Sequence, residues 1–357
     1  WQERTPQVVP HPSYALFMRE AHLRIDPQFR DFLRPEYLTR DTAKIRIEEI
    51  AWGGVRKDGI PSLDSPDMIA ADAADYLRDD DLVFGVSING DARAYPLRIM
   101  GWHEMFNDVI GGVPLALAYC TLCGSGILFE TQVDGAQAPL IFGSSGFLYR
   151  SNKLMFARKT HSLWNQYTGR PVIGPLAESG IALKQRPVVI TTLAKWRATH
   201  PTTRVLSLNT GHRRDYGSGV VYSAYFGSPD LMFPALVDQR DHKQKDYIFT
   251  IRQFGAARAW PLKAFAKRRV INDAIAEMPV VLIGNSETRS VRAYERADLT
   301  FSPAGGRLTA SDGTTWTATE DALVGPGDRQ LRRVAGHISY WFAWDNYIGA
   351  AGTVYSD

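Results

Sequence analysis

The chain has two cysteines, Cys120 and Cys123, in one Cys-x-x-Cys. Thiols at that spacing can grip a metal, exchange a disulfide, or close a short inert loop. One pair three positions apart constrains little of the unfolded chain, so it is no disulfide framework. A redox pair of thioredoxin type places its first cysteine at a helix N-terminus. Here Gly124-Ser125-Gly126 follows, and then the strand-like Ile127–Phe129. Cys-x-x-Cys-Gly between two strands is instead the form of a metal knuckle, in which glycine accepts the unusual dihedral. One knuckle supplies two ligands, and His103, in Gly-Trp-His-Glu, is the candidate third. A Cys2His set with an open position suits Cu(I) ahead of zinc. His161 is a further candidate ligand, and Glu104 and Asp108 are candidate acceptors that would orient the His103 ring.

The expectation is a copper-binding protein, either a carrier or an oxidoreductase in which Cys120 and Cys123 take part directly. The first alternative is a thiol–disulfide oxidoreductase in which Cys120 attacks and Cys123 resolves. The second is a non-catalytic binding or scaffold protein with an inert local disulfide. Gly143-Ser144-Ser145-Gly146 is one residue short of a nucleophile elbow and reads as a tight turn.

An internal repeat supplies a control on these choices. Gly90-Asp-Ala-Arg-Ala-Tyr-Pro-Leu97 returns 165 residues later as Gly255-Ala-Ala-Arg-Ala-Trp-Pro-Leu262. The same offset lays Asn107-Asp108 on Asn272-Asp273 and Pro114 on Pro279. Further along, Leu163-Trp164, Gly174-Pro175 and Trp196 are echoed by Thr315-Trp316, Gly325-Pro326 and Trp344. Residues shared by both copies are what the fold needs. Cys120, Cys123 and His103 fall on Asn285, Thr288 and Arg268, so they belong to the first copy alone. Asp108 has a counterpart, which favours a structural role for it.

The elements that must position these groups are mainly short apolar runs between turns. Leu82–Ile88 ends in Asn89-Gly90, a hairpin signal, and Ala92–Leu97 continues from it. Val113–Tyr119 and Ile127–Val133 flank the cysteines. Helices are expected near Ser13–Arg24, Met68–Leu77 (with Asp67 as N-cap), Arg98–Asn107 and Leu193–Thr199. The fold class is mainly β to α+β, with two β-rich repeats around a pseudo-twofold axis. Four regions follow: an N-terminal arm over 1–80, a first repeat with the site over 81–207, a Gly/Pro/Tyr-rich connector over 208–245, and a second repeat over 246–357.

Composition removes partners without naming a function. Among 357 residues, 41 basic against 38 acidic side chains is too balanced to imply a nucleic-acid partner. No apolar run reaches the length of a membrane-spanning helix. No Gly-x-Gly-x-x-Gly or phosphate loop follows a strand, so no nucleotide cofactor is expected. A metal ion or a small-molecule substrate is the expected partner.

Several of these motifs together resemble one uncharacterised prokaryotic family, domain of unknown function 3179. They are the Gly90–Leu97 run, Trp102-His-Glu, Asn107-Asp, Tyr119-Cys-Thr-Leu-Cys-Gly124, Phe142-Gly-Ser-Ser-Gly-Phe-Leu-Tyr149 and Ser162-Leu-Trp164. Lys57-Asp-Gly-Ile-Pro61 upstream and His200-Pro201 downstream fit the same pattern. His103, Cys120 and Cys123 match it position by position. His161 stands where the family pattern leads one to expect an acidic residue. The resemblance implies an extracytoplasmic protein, periplasmic or secreted.

Overall fold

The runs on either side of the cysteines form a hairpin in the computed structural model, which describes residues 12–39, 41–233, 235–253 and 255–356. Val113–Cys120 and Ser125–Glu130 pair antiparallel from Leu115↔Glu130 to Cys120↔Ser125, so the Cys-x-x-Cys occupies the turn. Met105–Ile110 lies on the other side of Val113–Cys120. Leu82–Ile88 and Asp91–Pro96 form a second hairpin, and the short helix Leu97–His103 leads from it into Met105–Ile110. The fold is mainly β, as the alternation of apolar runs and turn residues leads one to expect.

The second segment repeats this order. Strands Tyr247–Gln253, Ala256–Pro261, Val270–Ile275, Met278–Asn285 and Ser290–Glu295 start and stop 165 residues after their first-segment counterparts. Val189–Thr192 pairs with Leu82–Ile88 through Val189↔Gly85. His337–Tyr340 pairs with Tyr247–Gln253 at the matching position, His337↔Thr250. Each of these closing strands runs into a seven-residue helix, Leu193–Thr199 or Trp341–Tyr347.

The shared residues brace the same joints in both segments. Asp108 accepts from Arg93 Nη1 and the Tyr95 hydroxyl, each at 2.6 Å. Asp273 accepts from Arg258 Nε and Trp260 Nε1, each at 2.8 Å. Asn107 clamps the backbone of Phe142 through both its amide atoms, and Asn272 does the same to Phe301. Asn107 is buried, and satisfying one N–H and one C=O at once locks the strand in place, because either group left alone there would cost a desolvation penalty.

The cores cross the segment boundary. Ile248, Ala259 and Trp344 of the second segment pack in one cluster with Met105, Ile127 and Trp164 of the first. Phe29 and Phe32 of the N-terminal arm join it, with Phe29 4.3 Å from Phe147 and Phe32 5.0 Å from Phe156 between ring centroids. Among the described residues no helix is long and apolar enough to cross a membrane.

Some local expectations need correction. The Pro12–Ile25 and Leu193–Thr199 helices are present, but Met68–Leu77 is not a helix. Met68–Ala70 is a strand paired with Arg204–Leu206, and Ala71–Ala73 is a single 3-10 turn. The helix expected to reach Asn107 stops at His103, because Glu104 adopts a left-handed conformation (φ 54°) and the chain turns into a strand. Gly143–Gly146 is not a tight turn. It lies within the buried strand Phe142–Tyr149.

Candidate functional site

Cys120 ends one strand of the hairpin, and Cys123 sits three residues on in the turn. The two sulfurs are joined by a disulfide. Cys120 is 3% exposed and Cys123 is fully buried. Gly124 closes the turn at φ 61°, and a Cβ there would lie 3.0 Å from the Tyr340 ring, so glycine is needed for both conformation and space. The Tyr340 amide donates to the Cys123 carbonyl at 2.8 Å, which ties the turn to the second segment.

Two other pieces of chain reach the sulfurs. The hairpin turn Arg150-Ser151, with both residues at positive φ, brings the Ser151 carbonyl oxygen to 2.6 Å from Cys123 Sγ. A disulfide sulfur carries no hydrogen, so this is a sulfur–oxygen contact; after reduction the Cys123 thiol would have an acceptor in place. The connector forms a roof. The Tyr225 hydroxyl donates to the Leu122 carbonyl at 2.7 Å, and Tyr222, Leu231 and Val237 pack around the disulfide. Lys245 fixes this roof by donating to the Tyr225 and Ser228 carbonyls, with its ammonium 3.3 Å from the Tyr225 ring centroid.

Beside the turn lies a buried charge pair. Lys153 Nζ donates to Glu104 Oε2 at 2.7 Å, and the Thr121 hydroxyl donates to Glu104 Oε1 at 2.6 Å. Both charged side chains are under 10% exposed. Such a pair is weak evidence for stability, since desolvation offsets the attraction. It places a cation and a hydrogen-bonded carboxylate beside the turn that carries the disulfide. On the other flank, burial raises the pKa of Tyr119 and Tyr340, and the Tyr340 hydroxyl lies 3.0 Å from that of Tyr247.

The remaining candidates are engaged with other partners. The Pro61 carbonyl, 2.9 Å from His103 Nδ1, can only accept, so Nδ1 carries the proton. Nε2 therefore accepts from the Tyr216 hydroxyl at 2.6 Å. Burial pushes the His103 pKa down to about 4, so the ring is neutral with both nitrogens occupied. His161 faces Asp31, at 3.5 Å, and Lys57, at 3.4 Å, on the side of the N-terminal arm. Glu104 bonds Lys153 and Thr121 rather than the His103 ring, and Asp108 braces Arg93 and Tyr95. Among the described residues no group of three histidine, cysteine or acidic side chains is arranged to hold a metal ion. The structure brings Cys120, Cys123 and Glu104 into one region and leaves both histidines outside it.

Lys153, Ser151 and Tyr225 were not singled out from sequence. Lys153 carries a readable signal, as the one charge of the segment Asn152–Ala157, directly ahead of the apolar run Leu154-Met-Phe-Ala157. A cation in a strand buried along its whole length needs an acid, and Glu104 is that acid.

Residues 57–351 match the family model described as "Protein of unknown function (DUF3179)", and the chain belongs to that family. No curated protein and no solved structure matches it.

Proposed function

We propose that the protein is a thiol–disulfide redox protein whose working bond is Cys120–Cys123. One observation carries this reading: the same hairpin turn is built in the second segment without any cysteine. There Asn285 Oδ1 accepts from the amides of Glu287 and Thr288, at 2.9 and 3.2 Å, and holds the loop shut. The fold has a non-covalent way to close this turn, so the disulfide serves something other than closure.

The chemistry balances on a dithiol partner. A substrate thiolate attacks Cys120 Sγ, the Cys120–Cys123 bond breaks, and its electron pair leaves on Cys123, which takes up a proton. The second substrate thiolate then attacks the substrate sulfur of the mixed disulfide and releases Cys120. The substrate is oxidised to a disulfide and the protein is reduced to two thiols. Ser151 O, already at Cys123 Sγ, would accept the hydrogen bond of the Cys123 thiol once it has taken up its proton. Access to Cys120 requires the roof of Tyr222 and Tyr225 to lift. An oxidising, extracytoplasmic compartment suits a resting disulfide.

The test equilibrates the folded chain in dithiothreitol and glutathione buffers and counts trapped thiols by mass. A reversible two-electron transition between about −300 and −120 mV, absent from Cys120→Ser, is the expected result. Resistance to reduction across that range in the folded state would overturn it. Copper or zinc retained at one equivalent by the reduced chain, and lost in both Cys120→Ser and His103→Ala, would replace the redox reading with the Cys2His metal site.

A further inference from the structure

The comparison between segments also runs in the other direction, toward positions where only the second carries polar chemistry. On the first segment's terminal sheet, one face presents Val83, Gly85, Ser87, Val189 and Thr191. Pairing places Ile248, Thr250, Arg252, His337 and Ser339 at the matching positions of the second. Three nearly apolar places have become a buried threonine, a half-buried arginine and a buried histidine.

Thr250 Oγ1 donates to the Arg258 carbonyl at 3.2 Å, but His337 lacks the partners that buried polar groups ordinarily have. His337 is 3% exposed, and neither ring nitrogen has a hydrogen-bond partner. The Tyr167 ring stands edge-on to it at 5.0 Å. The Tyr167 hydroxyl faces those of Thr250 and Ser339 but reaches neither in hydrogen-bonding geometry. Arg252 is pushed down in pKa by burial and faces the phenols of Tyr347 and Tyr167, with Arg170 nearby. No carboxylate among the described residues pairs with Arg252. The buried Arg333 and Arg93 each have one, Glu320 and Asp108, and Arg98 has Asp81.

The covering helix differs too. Trp196 lies against Gly85, where an added Cβ would come within 2.4 Å of its ring, and its Nε1 donates to Thr203 at 2.8 Å. In the second segment Thr250 fills the place of Gly85, Gly352 stands in the place of Thr203, and Trp344 Nε1 has no partner.

We propose that this face is a binding site for one small organic carboxylate, held by Arg252 with His337 and Tyr167, independently of the redox pair. A half-buried guanidinium without an anion leaves a charge uncompensated and a buried imidazole without partners is costly, and a bound acid meets both at once. One withdrawn guanidinium balances one negative charge, whereas a phosphate dianion would bring two into a low-dielectric site. Ile248, Ala257 and Ala259 on the same face suit an apolar remainder of the ligand.

The test is calorimetric titration of the full chain with sodium acetate, benzoate and succinate, with chloride and sulfate as controls. At least one carboxylate should bind at one site with Kd below about 1 mM. Arg252→Ser and His337→Val restore the residues that the first segment carries, so the fold should tolerate them, and Arg252→Ser should weaken binding about 30-fold or more. Tyr167→Phe, which alters one hydroxyl only, should weaken it about fivefold, keeping the test open if Arg252→Ser fails to fold. Absence of carboxylate binding at millimolar concentration, equal binding of chloride or sulfate, or unchanged affinity in the variants would each overturn the proposal.

Discussion

The Cys120–Gly124 and Asn285–Arg289 turns join equivalent strands and end on a left-handed residue, Gly124 at φ 61° and Arg289 at φ 54°. They are closed by different means. In the second, an asparagine side chain accepts two backbone amides, a device that ordinary turns use. In the first, the Cys123 and Gly124 amides bond weakly to the Cys120 and Thr121 carbonyls, at 3.2 and 3.3 Å, and a covalent bond completes the closure. Around the cysteine turn lie a buried ammonium–carboxylate pair, a carbonyl on one sulfur and a roof of tyrosines. The difference separates what holds a hairpin from what equips one.

The largest break in that comparison should come from Glu104, which the second segment replaces with Arg269 at the matching position. Glu104→Gln leaves the Lys153 ammonium buried without its acid and should cost about 3–5 kcal/mol in denaturant unfolding. Glu104→Gln combined with Lys153→Met should recover most of that loss. A single variant that unfolds like the parent would mean water already solvates Lys153.

The next effect depends on pH. The folded His103 pKa lies near 4 and the unfolded value near 6.5, so between them the unfolded chain binds more protons. The stability contributed by neutral His103 is therefore present above about pH 6.5 and lost as pH falls toward 4, reaching about 2 kcal/mol at pH 5. His337, pushed down to about 3 by burial, adds a similar acid loss that extends lower. Melting temperature against pH should fall steeply below pH 6.5 and less steeply in His103→Gln. Identical slopes would place the acid sensitivity elsewhere. The second segment has Arg268 at the matching position and so carries no imidazole there.

A smaller effect should follow from grafting one turn onto the other. Cys120→Asn with Cys123→Thr supplies the asparagine device in place of the disulfide. A loop this short gains at most about 2 kcal/mol from its cross-link, and a cap returns about 1 kcal/mol. The graft should therefore unfold within about 1 kcal/mol of the oxidised parent while losing every thiol-exchange signal. A collapse in stability would make the disulfide a structural requirement and weaken the redox reading.

Much of the scaffold was legible because its braces recur. Arg93, Asn107 and Asp108 repeat as Arg258, Asn272 and Asp273, and the strands they brace recur with the same bounds. What failed depended on partners distant in sequence. Met68–Leu77 is alanine-rich and helix-like alone, yet a strand beginning at Arg204 claims Met68–Ala70. Comparing the copies marked His103 as special but could not show that Tyr216, 113 residues away, occupies its free nitrogen. The Cys-x-x-Cys was visible; its lysine and carbonyl come from one other part of the chain and its tyrosine roof from another.

The smallest effect tests the residue that ends each turn. Arg289 is left-handed without being glycine, a conformation that costs about 1–2 kcal/mol for a residue with a Cβ. Its guanidinium lies 4.3 Å from the Tyr247 ring centroid, a cation–π contact worth about 0.5–2 kcal/mol. Arg289→Gly removes both terms, so its unfolding free energy should stay within about 1 kcal/mol of the parent. Gly124→Ala has no such compensation: the methyl group incurs the same backbone cost and meets the Tyr340 ring at 3.0 Å. If Arg289→Gly proved as damaging as Gly124→Ala, the arginine would be gripping Tyr247 far more tightly than a cation–π pair allows, and the tyrosine flank of the disulfide would depend on it.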